Sequence, residues 1–310
     1  MRRALASTHA RRTVARTAPA LLAAAALVTL GLTGCSASGS GASCVQPGDA
    51  SHLVRASGDF GSPSVSFPTP LESATVQKST LKKGSGATIS DGDVVVGKLA
   101  YSNGKTGRAL GASGTFNLVI GGSSATGLGK ALACSTAGSR VAVTGTVKEL
   151  FGAGSNTGLK NSTTAVFVLD LKKVYPSRAT GEPRPSQPGM PTVVLAPNGR
   201  PGIKIPSNDA PTKLRTAVLK QGSGATITKV TGSHGVLVNF TSVAWNDPDT
   251  VAASSWSDGS PVVWSSTSGS SVPADVVKQL IGHKVGSQII VVTPGSNATA
   301  YVIDILGIWK

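Results

Sequence analysis

An internal repeat constrains the fold of this chain more than any other feature. Residues 81–90, LKKGSGATIS, recur at residues 219–228 as LKQGSGATIT, an offset of 138 positions (219 − 81). The same offset aligns residues 61–68 with residues 199–206, and further on it drifts while the order of matching segments is kept. A period close to the length of an ordinary domain predicts two copies of one domain rather than a solenoid.

A proline-rich stretch separates the two copies. Residues 176–198 contain six prolines, a composition typical of a semi-rigid, extended linker. We therefore expect a first domain over residues 45–175, a linker over residues 176–198 and a second domain over residues 199–310.

Both copies are rich in alternating apolar residues and carry little helical periodicity. Val65 and Phe67, and later Val236 and Val238, alternate with polar neighbours as residues of half-buried strands do. A short helix is predicted over residues 128–132 in the first copy and over residues 275–281 in the second, where Pro273 precedes it. One short helix among antiparallel strands predicts an α+β fold in each copy.

The amino-terminal segment has the composition of an export signal. Five arginines and no acid stand in the first sixteen residues, and an apolar run over residues 18–32 follows that is too short for a comfortable membrane span. The run ends in Leu32-Thr33-Gly34-Cys35, which resembles the lipobox of bacterial lipoproteins. The resemblance implies cleavage after residue 34, lipid on Cys35, a flexible tether over residues 35–44 and a location on the outer face of the cell membrane. The alternative is a plain signal peptide that ends near a cysteine.

The net charge indicates which partners to expect, and the cysteines indicate which covalent link to expect. The net charge is +15, and five of these charges belong to the arginines of the signal, which leaves +10 for the rest. The remaining basic residues form no block, so an anionic membrane surface is a better partner than nucleic acid. Four scattered histidines predict neither a metal site nor a cofactor.

With Cys35 lipidated, Cys44 and Cys134 remain. Outside the cytoplasm we expect these two cysteines to form a disulfide, the alternative being two unpaired thiols.

The order of motifs, shared by both copies, resembles the FKBP-type peptidyl-prolyl cis-trans isomerase family. A Gly-Ser-Gly-Ala segment precedes an apolar strand, a short apolar helix, a Gly-Ser turn and a final strand containing an Asp. The matching segments are residues 84–87, 92–94, 116–118, 132, 138–141 and 167–171 in the first copy, and residues 222–225, 236–241, 254–256, 261–262, 280–287 and 301–306 in the second. The resemblance implies two tandem FKBP-like domains, each an antiparallel half-barrel sheet wrapped on one short helix.

The same resemblance implies an apolar prolyl site in each copy. Its residues would be Phe116, Leu128, Phe151, Leu159 and Phe167 in the first copy, and Phe240, Val262, Val272, Val276 and Tyr301 in the second. The wall tyrosine of the family falls near Lys98 or Tyr101, and the family's Phe-Asp pair is absent. Phe116, Phe151 and Leu159, with Trp256 and Trp264 in the second copy, are expected to supply the exposed surface.

Two functions follow from these residues. The first is a prolyl isomerase and foldase that acts on proline-containing exported polypeptides, because an apolar, water-poor pocket favours the twisted amide without a nucleophile or a metal. The second is a degenerate isomerase fold that serves as a chaperone or protein-interaction lipoprotein. Every residue of the implied site also has a simpler interpretation as hydrophobic core.

Overall fold

Strand-forming sequence dominates the part of the chain that the structure describes. The computed structural model describes residues 44–121, 126–155, 157–266 and 272–310. The predicted signal over residues 1–34, the lipidated Cys35 and the tether before Cys44 lie outside these residues. Within the described ranges, no helix combines the length and the apolar character that crossing a membrane requires.

The first part of the chain contains three short helices and seven strands among its described residues. They are α1 (Asp49–Leu53), β1 (Arg55–Ser57), β2 (Ser64–Ser66), β3 (Gln77–Lys82), β4 (Val94–Asn103), β5 (Ala109–Val119), α2 (Gly127–Leu132), β6 (Arg140–Thr146), α3 (Val147–Phe151) and β7 (Thr164–Tyr175). Strands β1 and β2 form a separate hairpin. The other five form one antiparallel sheet in the order β3-β6-β7-β4-β5.

The second part contains nine strands and one short helix among its described residues. They are β8 (Glu182–Pro183), β9 (Thr192–Leu195), β10 (Pro201–Lys204), β11 (Arg215–Gln221), β12 (Gly235–Ala244), β13 (Asp247–Ser254), β14 (Val262–Trp264), α4 (Ala274–Lys278), β15 (Gln288–Val292) and β16 (Thr299–Trp309). Strands β9 and β10 form a hairpin, and the rest form a sheet in the order β13-β12-β16-β15-β11-β8, with β14 also paired to β12.

The two sheets share one strand order. Strands β3, β6, β7 and β4 of the first sheet correspond to β11, β15, β16 and β12 of the second. Both β3 and β11 carry a register shift just before a lysine, Lys82 in β3 and Lys220 in β11. The molecule is thus mostly antiparallel β-sheet with a few short helices, an α+β arrangement. The predicted helices are present, although α4 ends at Lys278 rather than at residue 281. Helix α3 was not predicted.

The repeated Gly-Ser-Gly segment makes the same contacts in both sheets. The backbone N–H of Gly84 donates to Ser139 Oγ at 2.8 Å, and that of Gly222 donates to Ser287 Oγ at 2.9 Å. A Cβ on Gly84 would collide with the backbone of Ala137 and Ser139, so the close approach requires glycine. The internal repeat therefore encodes a tight crossing between this segment and the turn before β6 or β15.

Part of the proline-rich stretch packs against the second sheet instead of spanning between two bodies. The N–H of Ala179 donates to Asp304 Oδ2 at 2.9 Å, and Asn239 Nδ2 donates to the carbonyl of Ser177 at 2.7 Å. Strand β8 then pairs with β11. Tyr175, at the end of β7, donates from its hydroxyl to the carbonyl of Ile308 at 2.9 Å, which joins the two sheets at this point.

Each large sheet has an apolar cluster on both faces. In the first sheet one cluster packs beneath α2 and α3, and the other lies under α1 and the β1–β2 hairpin. In the second sheet α4 covers one face and the β9–β10 hairpin the other. The candidate site is formed on the helix-covered face of the first sheet.

Candidate functional site

The five residues implied for the first site lie in a single apolar cluster. Strand β5 supplies Phe116, α2 supplies Leu128, α3 ends in Phe151 and β7 supplies Phe167, while Leu159 comes from the segment between α3 and β7. Residues far apart in sequence are thereby brought together on one sheet face, as the resemblance implies.

Aromatic contacts fix the centre of this cluster. The ring of Phe167 stacks on Tyr101 with centroids 5.3 Å apart and planes within 4° of parallel. Phe151 approaches the same ring edge-on, with centroids 5.8 Å apart. Offset stacking and edge-to-face packing are the favourable arrangements of aromatic pairs. Phe167 is therefore held between a ring on β4 and a ring on α3.

Helix α3 places Phe151 through its caps. Thr146 Oγ1 accepts a hydrogen bond from the N–H of Glu149 at 3.2 Å at the start of the helix, which satisfies one of the free donors there. Gly152 follows the helix with φ of 88°, a conformation that glycine adopts at little cost. The five-residue helix can therefore turn sharply and leave Phe151 against the cluster.

Helix α2 positions Leu128 in a similar way. Thr126 caps it by accepting from the N–H of Gly129 at 3.1 Å. A Cβ on Gly127 would collide with the carbonyl of Glu149, so α2 approaches α3 as closely as the absence of a side chain permits. The two short helices thus form one cover over the sheet.

Solvent reaches only part of the cluster. Phe116, Leu128 and Phe167 are 8%, 4% and 3% exposed, so they are core residues, and the expectation that Phe116 is exposed was wrong. Phe151, Leu159 and Tyr101 are only half-buried. Of the five predicted site residues, only Phe151 and Leu159 are therefore accessible to a ligand, together with Tyr101 and the other half-buried members of the cluster.

The register of β4 shows which of Lys98 and Tyr101, the two residues predicted near the family's wall tyrosine, faces the apolar cluster. Tyr101 lies opposite Phe167 on β7 and belongs to the apolar cluster, whereas Lys98 lies opposite Asp170. Leu99 also packs against the cluster. The sequence placed this position near Lys98 or Tyr101, and the two-residue alternation of the strand selects Tyr101 together with Leu99.

The five residues implied for the second site also share a cluster, and four of the five are buried. Phe240, Val272, Val276 and Tyr301 are all at most 8% exposed, while Val262 is half-buried. Phe240 packs on Trp264 with centroids 5.1 Å apart. Trp264 is only 3% exposed, so the expectation that it lies on the surface was wrong, whereas Trp256 is half-buried. Burial raises the pKa of the Tyr301 hydroxyl, against a smaller opposing effect of its hydrogen bond with Thr299.

Cys44 and Cys134 form a disulfide that ties the start of the described chain to the end of α2. Close by, Lys78 Nζ donates to the carbonyl of Ala133 at 2.7 Å and to Ser135 Oγ at 3.1 Å. Burial lowers the pKa of the Lys78 ammonium. These contacts hold the carboxyl end of the helix that carries Leu128.

A separate, polar concavity lies at one end of the first sheet. Its volume is about 880 Å³, and it lies between residues 71–74, the turn after β4 and residues 160–164. Its wall includes Glu72, Lys105, Lys160 and several hydroxyl groups. The sequence offered no signal for this concavity, because its residues come from three connecting segments of unremarkable composition.

Comparison with known proteins adds little to this description. No family model matches the chain, and no curated protein matches it. The crystal structure of the three FKBP domains of wheat FKBP73 aligns at 16% identity over 76% of this chain and 95% of that chain, with a TM-score of 0.32. The N-terminal domain of FKBP42 from Arabidopsis thaliana aligns at 16% identity over 36% of this chain and 95% of that domain, with a TM-score of 0.30. TM-scores of this size do not establish a common fold.

Proposed function

We propose that the protein is a peptidyl-prolyl cis-trans isomerase of FKBP type and that the first apolar cluster is its working site. The observation that carries the proposal is that the half-buried Phe151 and Tyr101 both pack on the buried Phe167, with the half-buried Leu159 in the same cluster. A prolyl ring is apolar and flat-sided, so a surface of two aromatic rings and a leucine suits it.

The chemistry requires only such a surface. Isomerisation breaks no covalent bond, and its barrier is the loss of amide resonance as the X-Pro bond twists. A site that excludes water from the amide and packs better against the twisted form lowers this barrier. Phe167 and Leu128 provide the apolar base beneath the bound ring, and Tyr101, Phe151 and Leu159 provide its sides.

Isomerisation of a short proline-containing peptide tests the proposal. The mature chain should accelerate cis-trans exchange, measured by exchange NMR, above the uncatalysed rate of seconds to minutes. A variant with Phe151→Ala and Leu159→Ala should lose the acceleration, and Val262→Ala in the second cluster should keep it. An unchanged rate with wild-type protein would remove the enzymatic assignment.

The location and the clients are part of the same proposal. A lipid on Cys35 would hold the protein on the outer face of the cell membrane, where newly exported, proline-containing polypeptides emerge unfolded. Mass spectrometry of the membrane-extracted protein should find an acylated amino-terminal cysteine, and Cys35→Ala should release the protein from the membrane fraction. An unmodified, membrane-free wild-type protein would contradict the anchor.

The second cluster is a poor site for a prolyl ring. Its core residues Phe240, Val276 and Tyr301 leave little apolar surface for such a ring. We therefore propose that the second half does not catalyse isomerisation and that it serves client binding through the half-buried Trp256 instead. Suppression of aggregation of an unfolded client by the Phe151→Ala/Leu159→Ala variant would support this role, and loss of suppression in that variant would contradict it.

A further inference from the structure

We infer that the free edge of β5 binds an extended segment of an unfolded polypeptide as an added antiparallel strand. The inference deepens the proposed function and rests on it for the identity of the occupant, a client chain. It concerns the part of the client beyond the prolyl residue. The observation behind it is that the other edge strands of the two sheets are covered, charged or short, whereas β5 is not.

The other edges of the two large sheets carry the usual protection against strand addition. Strand β3 is covered by the chain before it: the N–H of Lys78 donates to the carbonyl of Gln46 at 3.1 Å, and that of Ser51 donates to Gln77 Oε1 at 3.1 Å. Strand β13 begins with Asp247-Pro248-Asp249, which combines charge with a missing donor. Strand β8 is two residues long and contains Pro183, and β14 is only three residues long.

Strand β5 is neither covered, charged nor short. It is eleven residues long, ALGASGTFNLV, and contains no charged residue and no proline. Among the described residues it stands at the end of the strand order of the first sheet and pairs with β4 alone; this pairing is regular over residues 114–119 and shifts register on both sides of Tyr101. An edge strand of this length presents a row of backbone donors and acceptors that a second extended chain can pair with.

The position of this edge connects it to the apolar site. Phe116 on β5 is buried in the apolar cluster and Leu118 packs against it, whereas Thr115 and Asn117 are exposed. A strand added beside Phe116 would direct alternate side chains toward the face that carries Phe151 and Leu159. Backbone pairing would then hold an extended client of almost any sequence while the apolar surface receives its proline.

Backbone-methylated peptides test the pairing directly. The probe is a neutral, end-capped, proline-free peptide of alternating Thr and Val, matched to the length of β5, with its affinity for the mature protein measured by fluorescence anisotropy. Methylating the backbone nitrogens along one edge of the peptide should weaken binding about tenfold, because several hydrogen bonds are lost. Methylating the nitrogens along the other edge should leave binding unchanged. Equal effects of the two methylated peptides would overturn the inference.

A matched pair of variants locates the pairing on β5. Asn117→Lys adds a charge to this edge and should weaken binding of the neutral probe about tenfold, as a lysine on an edge strand opposes pairing. Thr250→Lys adds the same charge to the already protected β13 and should bind like the wild type. Equal binding by both variants would overturn the inference. The probe contains no proline, so an inactive isomerase that still binds it would disprove the proposed function alone.

The other possible occupant is a second copy of the chain. Sedimentation velocity of the wild-type protein without peptide should show a monomer. A dimer that Asn117→Lys dissociates would show that β5 pairs with β5 of another molecule, which would overturn the assignment to a client.

Discussion

Arg140 and Asp170 form a buried ion pair that holds the β1–β2 hairpin against the first sheet. The guanidinium meets the carboxylate twice, at 2.6 Å between Nε and Oδ1 and at 2.8 Å between Nη2 and Oδ2. Arg140 also donates to the carbonyls of Gly58 and Asp59 in the hairpin turn, and the N–H of Gly61 donates to Asp170 Oδ2. Hydrogen bonding with Asp170 raises the pKa of Arg140.

Removing the Arg140 side chain should lower the free energy of unfolding, because Asp170 would remain buried without its cation. Arg140→Ala leaves the carboxylate of Asp170, which has no exposed surface, without its partner, and such losses destabilise a protein by about 3–5 kcal/mol. Urea unfolding measures the change. The double variant Arg140→Ala/Asp170→Asn should recover part of the loss, because no buried charge is left unpaired. If the double variant lost as much stability as the two single variants together, this explanation would be contradicted.

The second sheet replaces this ion pair with a neutral partner and should therefore respond to pH. At the same register Gln288 Nε2 donates to Asp304 Oδ1 at 2.6 Å, and burial raises the pKa of Asp304 despite the opposing hydrogen bonds from Ala179 and Gln288. The folded state thus binds the proton more tightly than the unfolded chain, in which an Asp titrates near pH 3.8. The stabilisation from this proton is complete below pH 3.8 and is lost as the pH rises through the folded pKa.

Asp304→Asn removes the titration while keeping the side-chain shape. As the pH is raised from below 3.8, this variant should become more stable relative to the wild type, because only the wild type loses stability as Asp304 ionises. Urea unfolding across a pH series measures the difference. Asp275→Asn, which removes an exposed carboxylate paired with Lys278, serves as the control and should show no comparable trend. A difference that shrinks with rising pH would contradict the assigned direction.

The Cys44–Cys134 disulfide should contribute measurably to stability. It closes a loop with a sequence separation of 90 residues, and disulfides of this kind typically stabilise by about 2–4 kcal/mol through the unfolded chain. Replacing both cysteines by serine should lower the melting temperature, and reductant should lower it in the wild type but not in the double variant. Identical melting of the wild type with and without reductant would contradict the prediction.

Substitution of Phe151 should mainly affect isomerase activity, whereas substitution of Leu128 should mainly affect stability. Phe151 is half-buried, so Phe151→Ala should reduce prolyl isomerisation strongly with a modest loss of stability. Leu128 is 4% exposed, so Leu128→Ala should cost about 2–5 kcal/mol of unfolding free energy. Exchange NMR on a proline peptide and urea unfolding give the two readouts. Full activity in the Phe151→Ala variant would place the working surface elsewhere.

The absence of a side chain at Gly307 allows Tyr175 to pack between the two sheets. A Cβ at this position would overlap the ring of Tyr175, which packs there with Leu237 and Leu306. Gly307→Ala should therefore displace Tyr175 and allow the two halves to unfold in separate steps, visible by calorimetry. Gly282→Ala, where a Cβ meets nothing within 4 Å but φ is 89°, controls for the effect of adding a methyl group at a glycine. A single transition in the Gly307→Ala variant would contradict the prediction.

Much of the fold could be predicted from local pattern. The repeat of residues 81–90 predicted that β3 and β11 would be equivalent, and two-residue alternation at Val236 and Val238 located β12 within a few positions. The apolar residues of the first site could be named because the motif order placed Phe116, Leu128 and Phe167 relative to the glycine turns. Helices α1 and α3 were not predicted, because each has only five residues and, unlike α4, neither directly follows a proline that marks its start.

What the sequence by itself determined is the existence of two similar β-rich units, each with an apolar cluster under a short helix, because repeats and periodicity are local properties of the chain. Only the tertiary structure decided which of the predicted residues are accessible to solvent. The exposure of Phe151 and the burial of Trp264 depend on how α3, β14 and α4 pack on their sheets. It also decided that Ala179 packs against the second sheet, since the acceptor of its N–H is Asp304, 125 residues away. Contacts between distant segments depend on register and packing, which local pattern does not specify.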